Sequence, residues 1–304
     1  MSSFSAVVKR NIKLFFKDKG MFFTSLITPA ILLILYSAFL GDIYRSGFTA
    51  GLSLSQDIAD GLVCGQIISS ILSVSCVTVA FCTNFLMVQD KTAGVAGDFD
   101  VSPVKPSVIS LAYYVSSFAS TLIVCFSAAG LCFVYAAFAG WYMSASDVLL
   151  ILADIVLLSL FGTAISSIIN CFLSTQGQIS AVGTIVSAGY GFICGAYMPI
   201  ASLSGWLQKL ISFLPGTYGT ALMRNHAMNG VLKEISDRGL PSEAVEQIKN
   251  SVDCNLYFFD AQVSVSVMYA VLCAATAILI AVYIGINAIR KKDKRFKIVC
   301  KKQP

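Results

Sequence analysis

QDKTAGVAGDFDVSPVKPS, residues 89–107, is the stretch that decides the fold. It is polar and turn-rich. Asp90, Lys91, Asp98, Asp100 and Lys105 crowd into it, and Gly94, Gly97, Pro103 and Pro106 break it. It interrupts two long apolar runs, residues 62–88 and 108–138, that carry no charge. A helix needs about 20 apolar residues to cross a bilayer core, and both runs are long enough. The stretch between them is therefore a short connection on one side of a membrane, accessible to a partner there.

The whole chain agrees with that placement. Of its 304 residues 57% are hydrophobic and 12% are charged, with a mean hydropathy of +0.79. Soluble domains carry about 25% charged residues, so a soluble all-α core is set aside. The reading is an all-α integral membrane protein, one transmembrane domain over residues 1–304. No short apolar core with a small-residue cleavage site follows the basic N-terminus, so no cleaved signal is expected. Ten cysteines occur without a Cys-x-x-Cys pair, and most lie in or beside apolar runs, where they act as small hydrophobes. With a single histidine, His226, no metal centre is expected.

Six spans are expected, at residues 20–40, 62–88, 108–138, 148–173, 179–198 and 261–289. Pro29 falls inside the first and is expected to kink it. Ahead of it, residues 1–19 read as an amphipathic helix lying in the membrane interface. Phe4, Val8, Ile12 and Phe15 form its apolar face, and Lys9, Arg10, Lys13 and Lys17 the rest. A short connection with Asp42, Arg45, Asp57 and Asp60 follows span one, and Asp147 is the expected cap of span four. Residues 199–260 form the one sizeable loop. Its first part carries Leu203, Trp206, Leu207, Leu210, Ile211 and Leu214 at helical spacing between Pro199 and Pro215. That segment is too short to span and suits a re-entrant or interfacial hairpin. Residues 229–253 are polar, with a helix start at Pro241-Ser242-Glu243 and Ser242 as cap.

Orientation follows from Lys and Arg. Of 21 such residues, 15 fall in residues 1–19, 89–107 and 290–304. Positive charge marks the cytoplasmic side, so both termini and residues 89–107 lie inside and residues 199–260 outside. The basic tail, residues 290–304, reads as an anchor to anionic lipid; a basic run directly after a span does not point to nucleic acid. Small residues recur at Gly183, Ser187, Gly191 and Gly195, and at Ala270, Ala274, Ala277, Ala281 and Gly285. Such stripes allow close helix packing, within the chain or at a subunit seam.

No bond chemistry is legible. The sequence lacks the G-x-x-x-x-G-K-[ST] phosphate loop and H-E-x-x-H. Asp154 is the one carboxylate well inside a span, either a polar contact in a substrate path or a buried hydrogen-bonding group. Asn84 and Asn170 read as interhelical hydrogen-bonders. A secondary transporter or channel would show inverted repeats or several buried charges, and a membrane-embedded enzyme would gather acid, base or nucleophile at one depth. Neither pattern is visible.

The layout resembles the membrane subunits of type-2 ABC exporters. The resemblance runs over essentially the whole chain: an amphipathic opening helix, six spans, a short inner loop between spans two and three, and a proline-flanked hairpin after span five. The inner loop is similar to the family's in Asp90-Lys91, Gly94, Asp98-Phe99 and Ser102-Pro103-Val104. The outer segment is similar in Tyr197-Met198-Pro199, in Phe213-Leu214-Pro215 with Thr217-Tyr218, and in Arg224 beyond them. The resemblance implies an efflux permease, a multi-pass protein of the bacterial inner membrane. Its substrate would be a drug, antibiotic, peptide or lipid-like molecule. It would pair with a second permease copy or a related permease and with two copies of an ABC ATPase. ATP and magnesium would be held by that partner and no cofactor by this chain. Asp90, Lys91, Gly94, Asp98, Phe99, Ser102 and Pro103 would couple to the ATPase. Asp154, Pro199 and Pro215 would line the substrate path or gate.

Overall fold

The structure, a computed structural model, describes residues 3–35, 55–259 and 261–300. The expected connection at Asp42 and Arg45 and the end of the first expected span, residues 36–40, lie outside the described residues.

Helices make up nearly all of it. α1 (Ser3–Lys17) and α2 (Lys19–Leu35) open the chain, and α2 runs on through Pro29. α3 (Gln56–Asn84) leads directly into two short helices, α4 (Leu86–Thr92) and α5 (Val95–Val101). Then come α6 (Pro106–Ala139), α7 (Ala145–Phe172) and α8 (Gln176–Ile193). After a 3₁₀ turn at Ile200–Ser202 follow α9 (Gly205–Ser212), α10 (Pro215–Asp237) and α11 (Ser242–Ser251). A hairpin of β1 (Leu256–Phe258) and β2 (Ala261–Val263), with Tyr257 opposite Gln262, leads into α12 (Val265–Cys300).

Among the described residues four helices are long and apolar enough to cross a membrane: Gln56–Thr92, Pro106–Ala139, Ala145–Phe172 and Val265–Ile289. α8, where the fifth span was expected, is an 18-residue helix ending at Ile193, short of the expected boundary.

α3 is the mast of the bundle. Nearly every residue from Ile58 to Asn84 is buried, polar ones included. A helix enclosed on all sides must satisfy its hydroxyls internally. Ser73, Ser75 and Thr78 each donate to the carbonyl four residues back, at 2.6, 2.6 and 3.0 Å. Asn84 reaches outward instead: its Nδ2 donates to Ser166 Oγ at 3.0 Å and Ser167 Oγ at 2.6 Å, fastening α3 to α7. Asn170 differs from expectation. Its buried side-chain amide has no partner among the described residues, and its backbone carbonyl makes the useful contact instead.

Residues 199–260 are not a loop. α10 runs through the core against α3, α7 and α12 and buries a face rich in polar groups, including Thr217, Thr220, Arg224 and His226. Gly230 lets it approach the turn before α7, because a Cβ there would overlap the Tyr142 carbonyl. Two caps shift by a few residues. Ser144 rather than Asp147 caps α7, with Asp147 completing a capping box at the third helical position. Pro241 precedes α11, and Ser242 is its first helical residue. In the small stripe of α12, Ala270, Ala274, Ala277 and Ala281 are exposed and Gly285 is half-buried.

Candidate functional site

Residues 86–101 form a helix–turn–helix. Gly94, at φ +81°, supplies the left-handed residue that separates α4 from α5. Asp90 on α4 is buried and is the hub. Arg10 of α1 donates to it twice, Nη1 to Oδ2 at 2.6 Å and Nη2 to Oδ1 at 3.0 Å. The Tyr113 hydroxyl of α6 donates to the same Oδ2. A two-pronged guanidinium–carboxylate pair fixes both distance and orientation. The Asp90 hydrogen bonds raise the Arg10 pKa still further, so its charge is permanent. The guanidinium also lies 5.6 Å over the Phe99 ring, which meets Tyr113 edge-on at 6.5 Å. Alongside, Asn11 Nδ2 donates to Ser116 Oγ at 3.3 Å.

Lys91 faces another way. Its ammonium donates to the carbonyls of Asn170, Cys171 and Leu173 at 2.8, 3.3 and 3.2 Å. The last carbonyls of a helix lack partners within it and carry its negative dipole end, so a lysine there satisfies both. Two adjacent residues of α4 thus fasten α1, α6 and α7.

The expected coupling residues separate by role. Asp90 and Lys91 point into the bundle, and Gly94 makes the turn. Ser102 donates to the Phe99 carbonyl at 2.8 Å and ends α5. Phe99 is half-buried under Arg10, while Asp98 and Pro103 are exposed and Val101 is 87% exposed at the tip. Arg10 and Tyr113 are the residues that sequence reasoning missed. Arg10 counted only as one cation of an amphipathic face, and nothing in the sequence ties it to a carboxylate 80 positions on.

Elsewhere in the bundle Asp154 is buried with both oxygens engaged. His226 Nδ1 of α10 lies 2.6 Å from Oδ2, and the Tyr269 hydroxyl of α12 donates to Oδ1 at 2.6 Å. The His226 and Tyr269 rings stack at 6.1 Å. His226 lies on α10, which is not among the four candidate spans but packs against three of them.

Pro199 precedes the 3₁₀ turn and Pro215 is the first residue of α10, both half-buried. What holds this segment is a second arginine–aspartate pair. Arg224 is 1% exposed; its Nη1 donates to Asp253 Oδ2 at 3.3 Å and its Nη2 to the Gly195 carbonyl at 2.9 Å. Asp253 also accepts from the backbone N–H of Ile200 at 2.6 Å and Ala201 at 3.4 Å. Burial raises the Asp253 pKa, and Arg224 only partly offsets it. Among the described residues no group of His, Cys, Asp and Glu is placed to hold a metal ion.

A family model described as ABC-2 type transporter matches residues 2–227, about three quarters of the chain, from α1 through most of α10. No curated protein matches it.

Proposed function

We propose, from the premise that this chain belongs to the ABC-2 type transporter family, that it is the permease of an ATP-driven exporter worked from its 86–101 helix pair. The observation that carries the reading is the fastening of α4. A partner pressing on the exposed tip of α5 would displace α4, and α4 is tied through Asp90 and Lys91 to α1, α6 and α7. A push at one surface is therefore passed through the Gly94 turn to three bundle helices. In this reading two ATPase subunits dock there, hold ATP and magnesium, and drive a pair of permeases, identical or related. Six spans, both termini in the cytoplasm and residence in a bacterial inner membrane complete it. Fifteen of the 21 Lys and Arg on the inner side support that orientation.

The substrate class is a drug, antibiotic, peptide or lipid-like amphiphile. The exit path passes Asp154 with its gate near Pro199 and Pro215. Asp154, held by His226 and Tyr269, is a buried carboxylate inside the bundle, and an amphiphile on this path would have to exchange with one of those two partners to hydrogen-bond to it.

The test is co-expression and reconstitution with an ABC ATPase subunit. Asp98→Lys should abolish co-purification and transport while the permease remains folded. Full-rate transport in liposomes without ATP would sink the reading. One observation favours a second reading, a proton-coupled transporter: a buried carboxylate–imidazole pair is what such a protein carries. Uptake driven by a pH gradient alone, lost in His226→Gln, would select it.

A further inference from the structure

The face formed by α9 and the β-hairpin is aromatic and open. Trp206 and Phe213 of this segment are 70% and 60% exposed, with Leu210 between them. The Phe213 ring meets Phe258 at 5.1 Å and Phe259 at 6.0 Å, joining the two segments. A few residues later the chain enters the last span at Val265, whose Val267, Ile278, Val282 and Ile284 are also exposed. The aromatic face thus precedes, by one short strand, the surface that this span offers to lipid. Aromatic side chains at the end of a span sit at headgroup level.

A cavity of about 450 Å³ opens beside this face, with Gln208, Lys209, Asn250, Asn255, Tyr257 and Phe259 in its lining. That is within the range of small-molecule sites, roughly 300–1,000 Å³. Its unspent capacity is Lys209. The ammonium lies 5.7 Å over the Phe259 ring and forms no ion pair among the described residues. Asp253, also in the wall, does not neutralise it, because its oxygens serve Arg224 and two backbone N–H groups. Among the described residues the site therefore offers a cation without an ion pair and an aromatic rim close in sequence to the start of the last span.

We propose that this cavity is a phospholipid site: an anionic headgroup docks its phosphate on Lys209 while its acyl chains lie over Trp206, Phe213 and Phe258. A free anion would satisfy Lys209 but leave the aromatic rim uncovered; a phospholipid satisfies both. The inference rests on the membrane placement proposed above and not on the ATPase or the exported substrate.

The chain has two tryptophans, so Trp141→Phe leaves Trp206 as a local reporter, blind to lipid held by the basic tail. The full chain carrying that change is placed in phosphatidylcholine nanodiscs with traces of brominated phosphatidylglycerol or brominated phosphatidylcholine. Phosphatidylglycerol should quench Trp206 at about five-fold lower mole fraction, the factor expected of one lysine at an anionic surface. Lys209→Gln should remove that preference and Lys209→Arg retain it. Equal quenching by the two lipids, unchanged by Lys209→Gln, overturns the proposal, as does quenching by neither. If inorganic phosphate perturbs Trp206 in phosphatidylcholine discs and erases the preference, the site takes a free anion and the lipid assignment falls. ATP-driven transport by the same preparation reports separately on the exporter reading.

Discussion

Two arginine–aspartate pairs organise this molecule, and they are built differently. Arg10–Asp90 is two-pronged, with Arg10 one-third exposed and Tyr113 as a third member. Arg224–Asp253 is a single contact at 3.3 Å between groups almost wholly buried, and Arg224 Nε has no partner among the described residues. The first joins separate helices, α1 to α4 and α6. The second folds a segment back on itself, using Asp253 to hold the turn after Pro199 against α10. A partly solvated pair with good geometry can be strained and re-formed as helices move. A buried pair cannot be opened cheaply, because each charge would be left in a low dielectric. The difference assigns motion to the first region and rigidity to the second.

The largest expected effect tests the rigid side. Arg224→Met strands Asp253 and the Gly195 carbonyl and should cost about 3–5 kcal/mol, the usual penalty for breaking a buried pair. Thermal unfolding in detergent measures it; an unchanged midpoint would erase the contrast. On the moving side Asp90→Asn keeps the shape but discharges the hub. It should cost about 1.5–3 kcal/mol, typical of hydrogen bonds to a charged group, and transport should fall while ATPase binding persists. Lys91→Gln removes one charge from a helix end and should cost at most about 2 kcal/mol. If its transport defect exceeds that of Asp90→Asn, α7 and not α1 carries the motion. Asp98→Lys, at an exposed site, should leave stability within about 0.5 kcal/mol while abolishing partner docking, read by pull-down.

The smallest effect is an acid one. Bonds from Lys249 and Asn255 hold the Glu246 carboxyl below its ordinary value of 4.5. Its contribution is therefore present above that value and lost as pH falls through the lowered one. Asp253 has the opposite sign: its pKa is raised above 3.8 by burial, so its contribution is greatest in acid and declines as pH rises through the folded value. Glu246→Gln should lower the neutral plateau of an unfolding-midpoint titration slightly and flatten its acid limb, so that the two proteins converge at low pH.

What the sequence made legible was whatever hydropathy encodes. The uncharged runs became α3, α6, α7 and the apolar part of α12, because a bilayer leaves such runs few alternatives. What it hid was burial achieved by hydrogen bonding. α10 read as loop because its inward face carries Thr217, Thr220, Arg224 and His226, which no hydropathy scale scores as core. The opening helix shows the same limit. Phe4, Val8, Ile12 and Phe15 mark the apolar side, yet the side packed on α6 is Val7, Asn11 and Phe15, selected by the bond from Asn11 to Ser116. The stretch 89–107 stood out in the sequence, but its residues could not be sorted there. Asp90 and Asp98 look alike in sequence and differ only in what folds around them.

That sorting has a consequence for how such a subunit changes over time. The fastening residues, Asp90 and Lys91, are committed to partners inside their own chain. Asp98, Val101 and Pro103 at the tip are exposed and owe the fold little. Substitutions there are nearly free of structural penalty, whereas those at Asp90 are not. Under the coupling role proposed above, the tip can drift to match a different motor while the linkage behind it stays fixed, so a permease of this build would change allegiance between engines without relearning how to fold.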